Sequence, residues 1–239
     1  MMTLTIDIGN TLTKIAVFRD GEMVFVQICD PFEANHIQAI LKDYRLDAYI
    51  LASVAKTPAF IHELLEGIRH VEFNHQTPLP IINRYATPET LGLDRLALAA
   101  AASQLAPKAD VLVISAGTCI TYDFITANGE YIGGAISPGL RLRARMLHEF
   151  TDRLPLVDIP TEIDYCETNT IAAIQSGILK GVQDEVDAKI LFFKEKYPSG
   201  TIFLTGGDQN YLVNSTKYRI FAVSNMVLIG LNEILQHHI

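Results

Sequence analysis

Two short phrases in this chain carry residues able to hold phosphate, and they share one pattern. Asp7-Ile8-Gly9-Asn10-Thr11-Leu12-Thr13-Lys14 is echoed by Ser115-Ala116-Gly117-Thr118-Cys119-Ile120-Thr121 at an offset of 108 (117 − 9). The same offset relates Asp20-Gly21 to Asn128-Gly129 (128 − 20). Glycine lets backbone N–H groups approach phosphate oxygens closely. Asn10, Thr11 and Thr13 add donors, Lys14 adds positive charge, and Asp7 is suited to hydrated Mg²⁺. A plain hairpin turn explains one such phrase equally well. Two copies favour a pair of nucleotide-clamping turns from two related halves. Neither GxxxxGK[ST] nor GxGxxG occurs, so this is neither a Walker loop nor a Rossmann fingerprint. The copies differ in one acid: Ser115 stands where Asp7 leads one to expect a carboxylate.

Three further groups carry chemical potential. Gly92-Leu93-Asp94-Arg95 opens an Ala-rich helix. Asp94 there is either a helix-start acid favoured by the macrodipole or a proton acceptor for a substrate hydroxyl, with Arg95 binding an anionic group. Thr205-Gly206-Gly207-Asp208 follows an apolar strand and offers either a close-approach surface for adenosine or a turn with Asp208 as N-cap. Arg141, Arg143 and Arg145 read as a solvated helix face rather than a phosphate clamp. Glu185 and Asp187 read as part of a charged helical stretch. His62, His70, His75, His148, His237 and His238 show no ligand spacing with acids or cysteines, so they are read as surface or satisfied residues.

Strands and helices must position these groups. Strands are expected over 3–8, 13–18, 23–28, 48–54, 111–115, 121–125 and 201–204, with Asp20-Gly21 as a hairpin turn. Helices are expected over 32–41, 58–68, 91–106, 168–196 and 224–237. The long helix carries apolar residues at 171, 174, 178, 182 and 186. The segment 74–90, with Pro78, Pro80 and Pro88, reads as loop. Strands precede helices in each half, which predicts an α/β fold with mixed sheets. The halves are placed at 1–109 and 110–239.

The chain has 239 residues, 49% of them apolar and only 19% charged, against about 25% charged in a typical soluble domain. A charge-poor surface is consistent with a subunit interface. The net charge is −8 and no basic patch occurs, which excludes a nucleic-acid footprint. Cys29, Cys119 and Cys166 are too few and scattered for a disulfide framework or a Cys-x-x-Cys site. The longest apolar stretch, 96–102, is too short to span a bilayer, and no signal peptide is evident. The expectation is a soluble cytoplasmic protein.

Taken in order, DIGNTLTK (Asp7–Lys14), GLDR (Gly92–Arg95), SAGTCIT (Ser115–Thr121), GGAISPG (Gly133–Gly139), Asn169-Thr170 and TGGD (Thr205–Asp208) resemble the type III pantothenate kinases. The resemblance spans residues 3 to about 230. It implies two related RNase H-like, actin-like ATPase domains with mixed sheets flanked by helices and an ATP cleft between them. It also implies ATP-dependent phosphorylation of pantothenate in the first committed step towards coenzyme A. By similarity, Asp7, Ile8, Gly9, Asn10, Thr11, Leu12, Thr13 and Lys14 cradle the ATP phosphates, with Mg²⁺ held by Asp7 through water, and Thr118 also contacts ATP. Tyr85, Gly92, Leu93, Asp94, Arg95 and Thr170 bind pantothenate, Asp94 being the catalytic base. Family members resemble homodimers. The family usually has Asp at position 115, associated with K⁺ or ammonium, so Ser115 implies a weaker monovalent-cation site. The rival readings are a small-alcohol or sugar kinase of the same superfamily and a non-catalytic ATP-binding regulator.

Overall fold

A computed structural model describes every residue except Asn10, Thr11, Val54 and Ala55. The chain forms two compact units: Met1–Leu105 together with Met226–Ile239, and Ala106–Asn225.

In the first unit the strand order is β3-β2-β1-β4-β5, with β1 Met2–Ile8, β2 Thr13–Arg19, β3 Glu22–Cys29, β4 Ala48–Ser53 and β5 Arg69–Glu72. β1 runs antiparallel to β2 and parallel to β4. The β2–β3 turn places Asp20 at φ 51° and Gly21 at φ 86°, the paired positive φ values of a hairpin whose twist matches its strands. Helix α1 (Ala34–Asp43) buries Ile37 and Ile40 in a core with Leu4, Ile6, Ile15, Val17, Tyr49 and Leu51. A two-residue strand β6 (Ile82–Asn83) interrupts the expected loop. The helix expected over 58–68 is shorter: α2 spans Phe60–Leu64, and the chain then turns through Gly67 at φ 78°.

Helix α3 (Leu93–Leu105) buries Leu96 to Ala102 without interruption, so it is covered on more than one face. Part of that cover is α6 (Met226–Gln236), the last helix of the chain. A Cβ on Gly230 would lie 1.7 Å from the Ala97 carbonyl oxygen, so the helix backbones touch there. Thr3 of β1 donates to buried Asn232 of α6 at 2.6 Å. The repeat alone placed the second half at 110–239; α6 instead packs with β1 and α3.

The second unit repeats the first in topology. Its strands are β7 Val111–Ala116, β8 Cys119–Ile125, β9 Glu130–Pro138, β10 Thr201–Thr205 and β11 Phe221–Ala222. They are ordered β11-β10-β7-β8-β9. β7 is antiparallel to β8 and parallel to β10, as β1 is to β2 and β4. Between β9 and β10 lie α4 (Leu140–Glu149) and the 27-residue α5 (Thr170–Lys196). Of the predicted stripe on α5, positions 174, 178, 182 and 186 are buried, but Ile171 in its first turn is 52% exposed. Leu179, Ile190 and Phe193 complete the buried face.

Candidate active site

In the first unit the β1–β2 connection covers residues 9–12, and the Gly9 N–H donates to the Leu12 carbonyl at 3.1 Å. A Cβ on Gly9 would meet that carbonyl oxygen at 3.0 Å, so Gly9 and Leu12 approach closely. Asn10 and Thr11 lie outside the described residues. Asp7 and Lys14 are direct cross-strand partners, and alternation therefore puts their side chains on one face. Ile8 and Thr13 form the next pair and are buried. Loss of hydration pushes the Asp7 carboxyl up to about 6; Lys14 pulls it down and Asp94 pushes it further up. Asp94 therefore lies within electrostatic reach of Asp7, from the first turn of α3. A hydrated divalent cation suits such a pair of acids, since it would replace lost solvation with opposite charge.

The entrance to α3 is built around Gly92. Its carbonyl accepts from the Arg95 and Leu96 N–H groups at 3.1 and 3.3 Å, which starts the helix. A Cβ on Gly92 would meet Asp94 Oδ1 at 2.5 Å, so the glycine leaves space that the carboxylate uses. Asp94 is exposed, whereas Arg95 is only 4% exposed and its guanidinium lies 5.9 Å from the Tyr85 ring centroid. A buried guanidinium under an aromatic ring is preorganised for an anionic group such as a carboxylate. Leu93 is half-buried beside them. His75, assigned no role from spacing, hydrogen-bonds through Nε2 to the Leu91 carbonyl at 2.8 Å and steadies the approach to Gly92.

In the second unit the repeated phrase folds into a shorter turn. β8 begins at Cys119, two residues earlier than predicted, and Gly117 N–H donates to the Cys119 carbonyl at 3.0 Å. Ser115 therefore pairs with Thr121, six residues on, whereas Asp7 pairs with Lys14, seven residues on. No lysine occupies the partner position of the second copy. Thr118 is exposed at the tip. Two other glycines close around this turn. A Cβ on Gly139 would lie 2.0 Å from the Gly117 carbonyl oxygen, and one on Gly206 would lie 2.1 Å from that of Ala116. Gly206 has φ 98°. The TGGD segment is thus a close-approach loop held against β7, with Asp208 N–H donating to the Ala116 carbonyl at 3.0 Å.

Asp208 caps no helix with its side chain; Arg141 donates to it at 2.6 Å. Asp208 is 4% exposed at its side chain and Arg141 72%, so the arginine reaches from solvent to neutralise a buried acid. Both line a cavity of about 260 Å³ with Leu140, Ala144, Val157 and Tyr211. Arg143 is not on a solvated face either. It donates to the Pro138 carbonyl at 2.8 Å and pairs with Glu185, which also accepts from Tyr122 and Ser137 at 2.8 and 3.0 Å. Burial pushes the Glu185 carboxyl up, but the Arg143, Tyr122 and Ser137 donors outweigh it and the net shift is downward. Burial and Glu185 together raise the Tyr122 phenol. Thr170 is the exposed first residue of α5, capped by Asn169 accepting from the Ala172 N–H at 3.0 Å.

Two mixed sheets of one topology, each with a Gly turn at the end of its first strand, define a duplicated α/β fold. Solved structures share it: a Baf-family protein from Campylobacter jejuni (TM-score 0.61, 20% identity, 98% of each chain) and the ROK hexokinase from Thermus thermophilus (TM-score 0.51, 13% identity, 98% of each chain). Residues 3–191 match the family model described as type III pantothenate kinase, and the chain belongs to that family. It is 43% identical over 239 residues to the type III pantothenate kinase of Phocaeicola vulgatus, covering 99% of each. The enzyme of that name from Flavobacterium johnsoniae is 41% identical, covering 100% of this chain and 99% of its own.

Proposed function

We propose residue roles for the reaction of this family, the ATP-dependent phosphorylation of pantothenate in coenzyme A biosynthesis, which family membership assigns to this chain. The observation that carries the roles is the grouping of Asp7, Lys14 and Asp94 in one unit, with buried Arg95 one residue along α3 from Asp94 and its guanidinium over the Tyr85 ring. The phosphoryl group passes through a loose transition state, so positioning and electrostatics matter more than covalent chemistry. Asp94, exposed beside Gly92, accepts the proton of the pantothenate hydroxyl as attack proceeds. Arg95 and Tyr85 bind the carboxylate end, with Gly92, Leu93 and Thr170 completing the pantothenate contacts. The turn from Ile8 to Thr13 and Lys14 hold the phosphates, and Thr118, by its match to the family pattern, is a further ATP-contacting residue.

Asp7 is the residue suited to Mg²⁺, held through water; when bound, the ion neutralises phosphate charge. Ser115 offers only a neutral hydroxyl where the family pattern has a carboxylate, so K⁺ or ammonium binds weakly. Activity should change little when KCl replaces NaCl at fixed ionic strength; strong saturable activation by K⁺ would assign the site to other ligands. The protein acts in the cytoplasm as a homodimer. Low charge content and the exposed side chains of Phe150, Leu156 and Tyr165 support association, and sizing by light scattering tests it. Among the described residues no helix is long and apolar enough to cross a membrane. The deciding assay is ADP release with and without pantothenate, alongside glucose, N-acetylglucosamine and acetate. Pantothenate-dependent ADP is expected; ADP release driven by another alcohol instead would move the chain to the sugar-kinase reading.

A further inference from the structure

The first unit holds a cluster of ligands that phosphoryl transfer does not use. His62, His70 and Glu72 each offer a ligand atom, and these atoms all lie within 4.8 Å of one another. We propose that His62, His70 and Glu72 form a zinc site that ties helix α2 to the edge strand β5.

The cluster arises from simple geometry. Alternation puts His70 and Glu72, two residues apart on β5, on one face of the sheet. β5 ends the strand order of its sheet, so that face is open along one side. His62 comes over it from α2, and its Nε2 is 3.3 Å from Glu72 Oε1. Two ligand atoms on a tetrahedral zinc lie about 3.4 Å apart, given zinc–ligand distances near 2.1 Å. The His62–Glu72 pair already has that spacing, and with all three ligand atoms within 4.8 Å of one another His70 needs a side-chain adjustment of at most about 1.4 Å. The spacing in sequence (eight residues from His62 to His70) hid this, because the ligands are assembled by a helix and a strand rather than by one helix turn.

Support around the ligands is also present. Tyr49 lies directly across from His70 in the β4–β5 register, and their rings stack at 4.9 Å with 10° between planes. The Tyr49 hydroxyl is 3.4 Å from Nδ1 of His62. With zinc on Nε2, the Nδ1–H of His62 would donate to that oxygen, the arrangement that fixes ring orientation in histidine metal sites. Two imidazoles and one carboxylate suit Zn²⁺ and leave a fourth position for water. Mg²⁺, which prefers oxygen ligands, would not compete.

The test is calorimetric titration of Zn²⁺ into the full chain with excess Mg²⁺ present, with a parallel thermal melt. One saturable zinc per chain and a rise in Tm are expected. His62→Ala and His70→Ala should each weaken binding at least tenfold and abolish the Tm rise. Tyr49→Phe should weaken it by about tenfold. In wild-type protein, imidazole NMR signals of His62 and His70 should shift on zinc addition while those of His148 and His237 stay in place. That measurement does not depend on any variant folding. Unsaturable binding, undiminished zinc affinity in the double alanine variant, or unmoved His62 and His70 signals would each overturn the site. None of these outcomes bears on pantothenate phosphorylation, so the two readings fail separately.

Discussion

At the scale of single residues, Asp94 and Asp7 are both carboxylates in one neighbourhood with different surroundings. Asp7 loses hydration beside β2 and its carboxyl rises to about 6, which makes it a ligand waiting for positive charge. Asp94 is exposed and lies over a glycine that gives it room. A proton acceptor in phosphoryl transfer needs position first, since the proton moves late and the driving force comes from the phosphate. Asp94→Asn keeps the size and removes the acceptor. Turnover should fall roughly 10²- to 10⁴-fold, with ATP affinity within about twofold of wild type because the phosphate-binding turn is untouched. Steady-state kinetics together with equilibrium ATP binding separate these effects. Unchanged turnover would remove Asp94 from the catalytic role, and a lost ATP signal would make it a phosphate-site residue instead.

At the scale of elements, two devices hold the second unit's turn in place. The first is backbone contact: Gly206 sits at φ 98° with no room for a Cβ against Ala116, while nothing lies within 4 Å of a Cβ built on Gly207. Gly206→Ala should therefore cost about 3 kcal/mol, and Gly207→Ala less than about 0.5 kcal/mol, in denaturant unfolding. Equal effects at the two sites would contradict the close-approach reading. The second device is the Glu185 network joining β8, β9, α4 and α5. Its carboxyl is lowered in the folded state, so it contributes stability at neutral pH that is lost as pH falls through that lowered value. Glu185→Gln should lose about 1.5 kcal/mol at pH 7. The gap to wild type should narrow below pH ~4.5 as the wild-type carboxyl protonates. A gap independent of pH would mean that the residue acts by packing alone. The close approach at Gly206 was anticipated, though for adenosine and not for Ala116, whereas the Glu185 network was not visible beforehand. Arg143 and Glu185 are 42 residues apart, and a charged residue on a helix reads as solvated unless its partner's position is known.

At the scale of the whole molecule, the repeat proved to be a repeat of topology. The order β3-β2-β1-β4-β5 recurs as β9-β8-β7-β10-β11, with the same antiparallel and parallel neighbours around β1 and β7. Most strands and α5 could be read from their apolar patterning, and the Ala-rich helix from its composition. The turn lengths were less legible: Gly9 and Gly117 align, yet the second turn is shorter by one residue and lacks the lysine partner. The membership of α6 was not legible at all, since nothing in its own pattern names the helix it packs against. Gly230 is the residue that settles this packing, its backbone lying on that of Ala97. Gly230→Val would force α3 and α6 apart and expose part of the buried run from Leu96 to Ala102. The loss should be about 3 kcal/mol or more, and it should fall on one unit. Hydrogen exchange should speed up in β1, β4, α3 and α6, while β7, β8 and α5 keep their protection, because their core is made from residues of the second unit alone. Uniform loss of protection across both sets would show that the chain unfolds as a single cooperative body, and that α6 stabilises more than the unit it packs in.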